Sequence, residues 1–289
     1  MYKFVAIRKT LVWGTEDWIL SGVPGSESIV VEGPQAGRSI TDIWPGEFPL
    51  LVKFIDARRD LSIQVHPDDV LARERHGCNG KTEMWYILDA QPGASLISGL
   101  KAPLTPSEYE RRIADDSITE VLATHQVAPG DVFFLPAGRI HAIGGGCRLA
   151  EIQQTSDITY RIYDYNRPGL DGKPRQLHTE LARAAIDYSV YPDYRTRYER
   201  RPGEEVLLVD CPQFRTCLLE LDAPFRKVLA GCGEFLVVVC LEGAASLLSA
   251  SGSAGLTAGQ AALIPATEDF VAIAPSPGGA KFLTTCTPK

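Results

Sequence analysis

The chain contains Gly130-Asp131-Val132-Phe133-Phe134-Leu135-Pro136, an apolar run that follows a glycine and ends at a proline. Short β-branched and aromatic runs between glycine and proline are typical of strands bounded by tight turns. The same spacing returns 129 residues later, from 130 to 259, as Gly259-Gln260-Ala261-Ala262-Leu263-Ile264-Pro265. A strand of this kind that occurs twice indicates an internal repeat.

A second pair of segments supports the repeat. Gly80-Lys81-Thr82-Glu83-Met84-Trp85-Tyr86-Ile87-Leu88 resembles Gly231-Cys232-Gly233-Glu234-Phe235-Leu236-Val237-Val238-Val239, at an offset of 151 residues, from 80 to 231. The two offsets, 151 and 129, differ by 22 residues, which is about the size of a segment with helical signals inside the first copy. The sequence therefore predicts two copies of one β-fold.

Strand signals also dominate the rest of the chain. Short apolar runs punctuated by glycine and proline include Leu50 to Ile55, Leu61 to His66, Met84 to Leu88 and Phe235 to Leu241. This density of short strands predicts a mainly β protein built from antiparallel sandwiches or jelly-roll barrels.

Helical signals are few and clustered. Thr105-Pro106-Ser107-Glu108 has the form of a capping box with proline at the first helical position, and Ser117-Ile118-Thr119-Glu120 repeats the box. We therefore expect a small helical insertion over about 101–125. Residues 179–186 read as another short helix.

The composition of the chain suggests where its domains divide. Residues 191–205 are polar, charged and punctuated by proline and glycine, which is typical of a link between domains. We expect a larger domain over 1–190, which contains the insertion, and a smaller β domain over 206–289.

Bulk properties exclude several classes of protein. The 289 residues carry a formal net charge of -7, which argues against a nonspecific nucleic-acid binder because such a protein needs a basic face. The N-terminus lacks the apolar core of a signal peptide, and the longest apolar runs are too short to cross a bilayer. Seven cysteines are scattered without CxxC spacing, which favours a reducing compartment and predicts a cytoplasmic protein.

Four polar side chains form a candidate ligand set for a metal ion. In Leu61-Ser62-Ile63-Gln64-Val65-His66 the apolar and polar residues alternate, so Gln64 and His66 point to one face of a strand. Glu83 opens another strand, and His141 follows a third. Two neutral imidazoles, one carboxylate and one amide oxygen suit Zn²⁺ and can take Mn, Co or Fe.

The alternative is that Gln64 and His66 belong to a solvated strand face. The second copy of the repeat retains Glu234 but has no histidine near Phe270, the position that matches His141. One copy keeps a polar set and the other loses it, as expected for an active barrel beside a structural one. We therefore expect the smaller domain to have no metal site.

These motifs together resemble a known enzyme family. Gly130-x5-Pro136-x-Gly138-x2-His141 matches the second cupin motif, and Gln64-x-His66 with Glu83 resembles a modified first motif. Together with Gly80 to Tyr86 and Gln153 to Tyr165, they are similar to the short bacterial type I mannose-6-phosphate isomerases, from about residue 10 to 190. The resemblance implies two cupin-like jelly-roll barrels, of which the C-terminal one is truncated and matches only in outline.

The resemblance also implies roles for individual residues. The zinc ligands of that family correspond here to Gln64, His66, Glu83 and His141, which implies one divalent ion, Zn²⁺. The arginine that the family regards as catalytic corresponds to Arg161. Lys53 and Lys81 stand where the family has active-site lysines, which implies charge-assisted contacts to a phosphate, although each is also compatible with an ordinary surface cation.

Two acidic residues flank the same strand region. Glu151 and Asp157 are candidates for contacts to substrate hydroxyls or to the ligands, and for Asp157 a turn or capping role is the alternative. The base that moves the proton stays open between Lys81, Glu151 and a metal-bound water. We expect His178 to cap or pack against the following helix and Trp85 to belong to the core.

The reaction implied is the interconversion of mannose 6-phosphate and fructose 6-phosphate through a cis-enediol. The only partner expected is a small hexose phosphate, with the chain a monomer or a weak homo-oligomer. A regulatory cupin that binds a sugar phosphate without turnover is one rival. A metal cupin dioxygenase is a weaker rival, because it normally presents a third histidine at the position of Gln64.

Overall fold

The computed structural model describes residues 1–288. It is 45% strand and 11% helix with antiparallel sheets, which confirms the mainly β class. The strands are β1 Tyr2–Lys3, β2 Ile7–Leu11, β3 Gly14–Leu20, β4 Leu50–Ala57, β5 Ile63–Val65, β6 Glu83–Ala90, β7 Ser95–Leu100, β8 Leu122–Gln126, β9 Val132–Leu135, β10 His141–Ile143, β11 Cys147–Gln154, β12 Tyr160–Tyr163, β13 Glu205–Asp210, β14 Arg215–Leu221, β15 Phe225–Val228, β16 Phe235–Ser249, β17 Gly252–Thr257, β18 Ala261–Pro265 and β19 Phe270–Cys286.

Helices are short and few. They are α1 Ile40–Ile43, α2 Asp69–His76, α3 Pro106–Ala114 and α4 Thr179–Ala185. Among the described residues, no helix is both long and apolar enough to span a membrane.

The predicted helical insertion is only partly helical. The Thr105 hydroxyl accepts a hydrogen bond from the backbone N–H of Glu108, as the capping signal predicted. The second box does not form, because Ser117 donates to Asp115 and is followed by a 3₁₀ turn over Ile118–Val121. The helical residues therefore end at 121, and residues 122–126 form strand β8.

Helix α2 sets up the turn that leads to Glu83. The Asp68 carboxylate accepts a hydrogen bond from the N–H of Leu71 at 2.8 Å, which caps the helix. The carboxylate of Asp69 accepts from the N–H of Gly80 at 2.9 Å. A Cβ at Gly80 would lie 2.5 Å from the backbone of Asp68, so only glycine allows the turn to approach the helix this closely.

The strands form three sheets. One sheet has the order β12-β5-β10-β7-β8, and a second has the order β2-β3-β4-β11-β6-β9. The third has the order β1-β18-β16-β19-β14-β13, with β15 paired to β19 and β17 paired to β16.

The chain divides into two compact units. Unit 1 consists of Met1–Ile7, Trp18–Lys53 and the chain from Thr196 onward, and unit 2 consists of Arg8–Asp17 and Phe54–Arg195. The N-terminal residues group with unit 1 because β1 pairs with β18, with Tyr2 opposite Leu263. These groupings differ from the contiguous ranges that the sequence suggested, and the division into domains over 1–190 and 206–289 stays a prediction.

Unit 2 has two apolar clusters, and both include residues of the five-stranded sheet β12-β5-β10-β7-β8. Ile63 and Val65 of β5 pack with Tyr109 of α3 and Ala182 of α4 in one cluster. Trp85, in the other cluster, packs with residues that include Leu96, Leu135, Ile143 and Leu149. Tyr194 from the predicted linker belongs to unit 2, where its hydroxyl donates to the carbonyl of Leu100 at 2.7 Å.

Unit 1 has its own core. One cluster is built mainly from β14, β16, β18 and β19 and includes Leu236, Val238, Ile264 and Phe282, all of them buried. Buried apolar side chains at every second position of these strands are the pattern expected where one sheet face forms a core.

Candidate metal centre

Three ionisable side chains meet in the interior of unit 2. His66, Glu83 and His141 each offer a ligand atom, and these atoms all lie within 4.8 Å of one another. None of the three residues is more than 1% exposed. Buried charged or titratable groups are costly unless they are paired or bind a metal, so this cluster requires a specific role.

Strand register brings the fourth predicted ligand to the same place. His141 lies directly opposite Gln64 in the β10–β5 pair, so their side chains share one face of the sheet. The Gln64 amide Nε2 lies 3.3 Å from His141 Nε2. The nitrogen and the oxygen of a side-chain amide have nearly the same size and geometry. Rotating the Gln64 amide by 180° therefore places its oxygen where Nε2 now lies.

The other sheet supplies Glu83. One face of β6 carries Ile87, Trp85 and Glu83 in turn. On the neighbouring strand β11, Glu151 is opposite Trp85 and Gln153 is opposite Glu83. The same strand face thus changes from apolar to polar at the end that holds the cluster.

Backbone carbonyls fix the tautomers of both histidines. His66 Nδ1 lies 2.8 Å from the carbonyl oxygen of Ile158, and His141 Nδ1 lies 2.8 Å from that of Arg139. A carbonyl only accepts, so each Nδ1 carries the proton and each Nε2 presents a lone pair. Burial, reinforced by the charge of Lys81, lowers the pKa of His141 to about 3, so its ring is neutral at physiological pH.

The lone pairs of the cluster face one another. His141 Nε2 lies 3.2 Å from Glu83 Oε1, and His66 Nε2 lies 3.6 Å from Glu83 Oε2. With the protons on Nδ1, these are contacts between acceptors, which repel unless a cation bridges them. The donor set therefore fits a divalent ion held by the two imidazoles, the carboxylate and the amide of Gln64.

Lys81 supplies a cation to part of this set. Its ammonium donates to His66 Nε2 at 2.9 Å and also to Glu83 Oε2. The side chain is 4% exposed. Lys81 thus lies against the predicted ligands themselves, and a metal ion would compete with its ammonium for the same two atoms.

Arg161 lies on the same sheet face as Gln64. The two residues are opposite each other in the β12–β5 pair. The Arg161 guanidinium donates to Ser62 Oγ at 3.3 Å and to the carbonyl of Gln176 at 2.8 Å, which holds it in place. Burial, followed by the nearby charge of Arg175, lowers its pKa from the usual value for arginine.

Glu151 is tied to a tryptophan. Trp85 Nε1 donates to Glu151 Oε2 at 2.7 Å, and both side chains are buried. The Trp85 ring also packs edge-on against His141, with ring centroids 5.3 Å apart. Trp85 is buried as expected, and it also links Glu151 to one of the predicted ligands.

The remaining predicted site residues are not part of this cluster. Asp157 is exposed to solvent. Lys53 is buried in unit 1, where its ammonium lies 5.1 Å from the centre of the Trp18 ring. His178 does not cap helix α4 with its side chain, and its Nδ1 instead accepts from the backbone N–H of Arg161 at 3.2 Å.

Sequence reasoning missed two buried polar residues next to the ligands. Gln153 is opposite Glu83, and its amide donates to the carbonyls of Gln154 and Ser156 at 2.8 and 2.6 Å. Ser98 is opposite His141 and fully buried. Both strands carry other polar residues as well, so residue type does not single them out, and only the register shows that each adjoins a ligand.

Comparisons with known proteins identify the family. The profile of the type I phosphomannose isomerase catalytic domain matches residues 16–91. The mannose-6-phosphate isomerase ManA of Bacillus subtilis is 34% identical over 249 residues, which cover 81% of this chain and 78% of ManA. The probable mannose-6-phosphate isomerase GmuF of the same organism is 42% identical over 183 residues, 59% of this chain and 58% of GmuF.

The solved structures agree. The crystal structure of a mannose 6-phosphate isomerase from Bacillus subtilis superimposes with a TM-score of 0.88 at 28% identity and covers 98% of each chain. Similarity of this extent in both sequence and structure shows more than a shared fold. The chain is therefore an enzyme of the type I phosphomannose isomerase family.

Proposed function

We propose that the protein interconverts mannose 6-phosphate and fructose 6-phosphate, an aldose–ketose isomerisation that passes through a cis-enediol. The observation that carries this proposal is the buried convergence of His66, Glu83 and His141, with the unprotonated Nε2 atoms of the two histidines 3.6 and 3.2 Å from the Glu83 carboxylate. The names of the relatives supply the substrate, and the cluster supplies a reason for the chemistry.

The ligands of the proposed ion are Gln64, His66, Glu83 and His141. Two nitrogens, one carboxylate oxygen and one amide oxygen favour Zn²⁺. When bound, the ion supplies Lewis-acid polarisation of the carbonyl and hydroxyl oxygens at C1 and C2 of the sugar. Glu83 is the only formal charge among the four ligands, so the site keeps net positive charge.

The other residues of the chain have separate tasks. Arg161 is cationic, is held by Ser62 and Gln176, and shares a sheet face with Gln64, so it suits the negative charge that develops on the enediolate. Lys81 or Glu151 moves the proton between C1 and C2. Both side chains are buried. Lys81 contacts the proposed ligand His66, and Glu151 is hydrogen-bonded to Trp85, which packs against His141. Lys53 and Lys81 remain the proposed contacts to the phosphate, and Asp157 a proposed contact to the sugar.

Further parts of the account are proposals of the same kind. The two repeats form two cupin-like jelly-roll barrels, and the smaller C-terminal one has no metal site. The seven cysteines are free thiols, which supports a location in the reducing cytoplasm. The expected assembly is a monomer or a weak homo-oligomer that binds no nucleic acid.

A coupled assay for fructose 6-phosphate tests the function. We expect turnover of mannose 6-phosphate that stops after exhaustive chelation and returns with Zn²⁺. His66→Ala should lose both bound metal and turnover, whereas His76→Gln should keep both, because the His76 ring bonds to the Tyr160 hydroxyl and is outside the proposed ligand set. Full turnover in metal-free protein would contradict the proposal.

A further inference from the structure

Unit 1 contains a cavity of about 310 Å³ that the isomerase chemistry does not use. Three of the seven cysteines line it: Cys217, Cys232 and Cys286. A water molecule occupies about 30 Å³ in the liquid, so the cavity has room for a small polar reagent beside the sulfur atoms. Ala230 and Gly231, also in the lining, are exposed to solvent and give such a reagent a route in.

The fold brings these thiols together from distant segments. Cys217 on β14 is opposite Thr284 on β19, and Cys286 follows two residues later on the same face. Cys232 lies in the turn between β15 and β16, where its N–H donates to the carbonyl of Leu229 at 3.0 Å. Cys232 and Cys286 are 4% and 5% exposed.

The segments that carry two of the three thiols are in contact. A Cβ at Gly233 would lie 2.4 Å from Thr287 Oγ1, so the turn that holds Cys232 packs against the residue that follows Cys286. The Cys286 thiol lowers the pKa of Cys232 against the opposing effect of burial, and the positive charge of Lys227 acts in the same direction, whereas Glu205 opposes it. The thiolate is the nucleophilic form of cysteine, so Cys232 is the reactive member of the pair.

Other thiols of the chain lie in the opposite environment. Burial raises the pKa of Cys147 and Cys240 to about 11 each. Cys217, which shares the cavity, also has a pKa raised to about 11 by burial. Within the cavity the pKa of Cys232 is therefore lowered while those of Cys217 and Cys286 are raised, which makes Cys232 the attacking thiol and Cys286 the resolving one.

We propose that Cys232 and Cys286 form a redox-active dithiol that hydrogen peroxide converts into an intramolecular disulfide. The Cys232 thiolate attacks one peroxide oxygen and breaks the O–O bond, which leaves a sulfenic acid on Cys232 and a hydroxide that becomes water on protonation. The Cys286 sulfur then attacks the sulfenic sulfur, loses its proton and displaces a second water. Overall, one peroxide takes two electrons and two protons from two thiols, giving one disulfide and two waters.

The local backbone permits this closure. Gly231 and Gly233 flank Cys232, and Gly231 has a φ of +100°, in open space where no neighbouring atom would meet a Cβ. Gly231 gives the turn freedom to adjust, and Gly233 packs closely against Thr287, so the turn stays beside Cys286 while the sulfur atoms close to the roughly 2.05 Å of a disulfide. Cys286 is the last residue of β19, so the bond would link the turn to the end of that strand.

A metal site built from three sulfur atoms is the rival interpretation of the cavity. Within residues 1–288, three potential ligand residues have their ligand atoms within 4.8 Å of one another, and these are His66, Glu83 and His141. The three cysteines of the cavity do not form such a group. The structure therefore favours a pair of thiols over a three-ligand site.

Peptide mapping of the full-length protein tests the proposal directly. Trypsin separates Cys232, in the peptide from Val228 to Lys281, from Cys286, in the peptide that begins at Phe282. After reduction and exposure to one equivalent of hydrogen peroxide, we expect these two peptides to be joined, with a loss of two hydrogen atoms in the intact mass. Cys240→Ser, which removes the other cysteine of the longer peptide, should leave the linked product unchanged, and Cys232→Ser should abolish it.

Trapping experiments separate the two steps. In Cys286→Ser the sulfenic acid on Cys232 has no partner, so dimedone should label that residue. Should either variant fail to fold, pulsed alkylation of the wild-type thiols gives the same information: Cys232 should react at least tenfold faster at pH 7 than Cys147 or Cys240. Equal alkylation rates, or peroxide treatment that links other cysteines or none, would overturn the proposal.

Discussion

Replacing Lys81 with methionine removes a cation from the buried cluster and leaves an unbranched side chain that is one atom shorter. The Lys81 ammonium donates to Glu83 and to His66 Nε2, and the three residues are at most 4% exposed. In metal-free protein the variant leaves the Glu83 carboxylate buried beside two imidazole lone pairs without the ammonium. A divalent ion would take over the same atoms, so the damage should be repaired by metal.

The size of the effect follows from the burial of the pair. Removing one partner of a buried ion pair costs about 3–5 kcal/mol, because the other charge is left in a poorly solvated place. At about 2 °C per kcal/mol in a chain of this size, metal-free Lys81→Met should melt roughly 6–10 °C below the wild type. Metal bound at a hundredfold excess over its Kd adds about 2.7 kcal/mol to any protein that binds it only when folded. Because the variant need not displace an ammonium, its gain on adding Zn²⁺ should exceed that of the wild type.

Calorimetric unfolding with and without Zn²⁺ measures both quantities. The matched control is Lys101→Met, which removes an exposed lysine from the same unit and should change neither the midpoint nor the gain from metal. Turnover should fall in Lys81→Met even when metal is bound, since Lys81 is a candidate for the proton transfer. A variant that gains no more from Zn²⁺ than the wild type would show that the ammonium and the ion do not share these atoms.

Three further predictions address the surroundings of the cluster. Trp85→Phe removes the donor to the buried Glu151 carboxylate, whereas the control Trp13→Phe loses only packing in the same apolar cluster. Unfolding calorimetry should therefore show about 1.5–3 kcal/mol more destabilisation in Trp85→Phe. Equal losses would show that the hydrogen bond to Glu151 does not stabilise the fold. Arg161→Ala should lose at least a hundredfold in kcat while atomic spectroscopy finds the metal content unchanged, and wild-type turnover would exclude Arg161 from the reaction. The pKa of His141 is lowered to about 3 by burial, so below pH 6.5 the unfolded chain binds a proton that the folded metal-free protein does not, and stability should fall as the pH drops from 6.5 towards 3. His141→Gln should show a shallower fall over that range, and identical profiles would contradict the assignment.

The sequence is informative about the strands that carry the ligands. The alternation from Leu61 to His66 predicts that Gln64 and His66 share a face, and the structure places Gln64 opposite His141 across two strands. The capping signal at Thr105 is local, and it forms as predicted. Such features depend on residues close in the chain, where strand and helix periodicity decide the outcome.

Contacts between distant segments were not predictable from the sequence. The carbonyls of Ile158 and Arg139 fix the histidine tautomers, but every residue has a carbonyl, so no residue type marks them. The contact of Lys81 with His66 depends on the turn at Gly80, which helix α2 holds in place. The pairing of β1 with β18 groups the N-terminus with unit 1, and a β pairing over such a separation leaves no periodic signal.

The second box, at Ser117, shows how local signals fail. Its residues suit a helix N-terminus, but Ser117 bonds to Asp115 and the chain forms a 3₁₀ turn before entering strand β8. Pairing of β8 with β7 places Leu122 opposite Leu100, both of them buried in the cluster that contains Ile63 and Val65. Burial of apolar residues in the sheet outweighs a capping preference of about 1 kcal/mol.

The account depends on one ion lying between His66, Glu83 and His141. Anomalous diffraction from crystals grown with Zn²⁺ locates that ion directly, without reference to turnover. We expect a single peak in unit 2 about 2.0–2.1 Å from each histidine Nε2 and about 2.0–2.2 Å from a Glu83 oxygen, with Gln64 as the fourth protein ligand. A peak elsewhere, or none between these side chains at saturating Zn²⁺, would contradict the account.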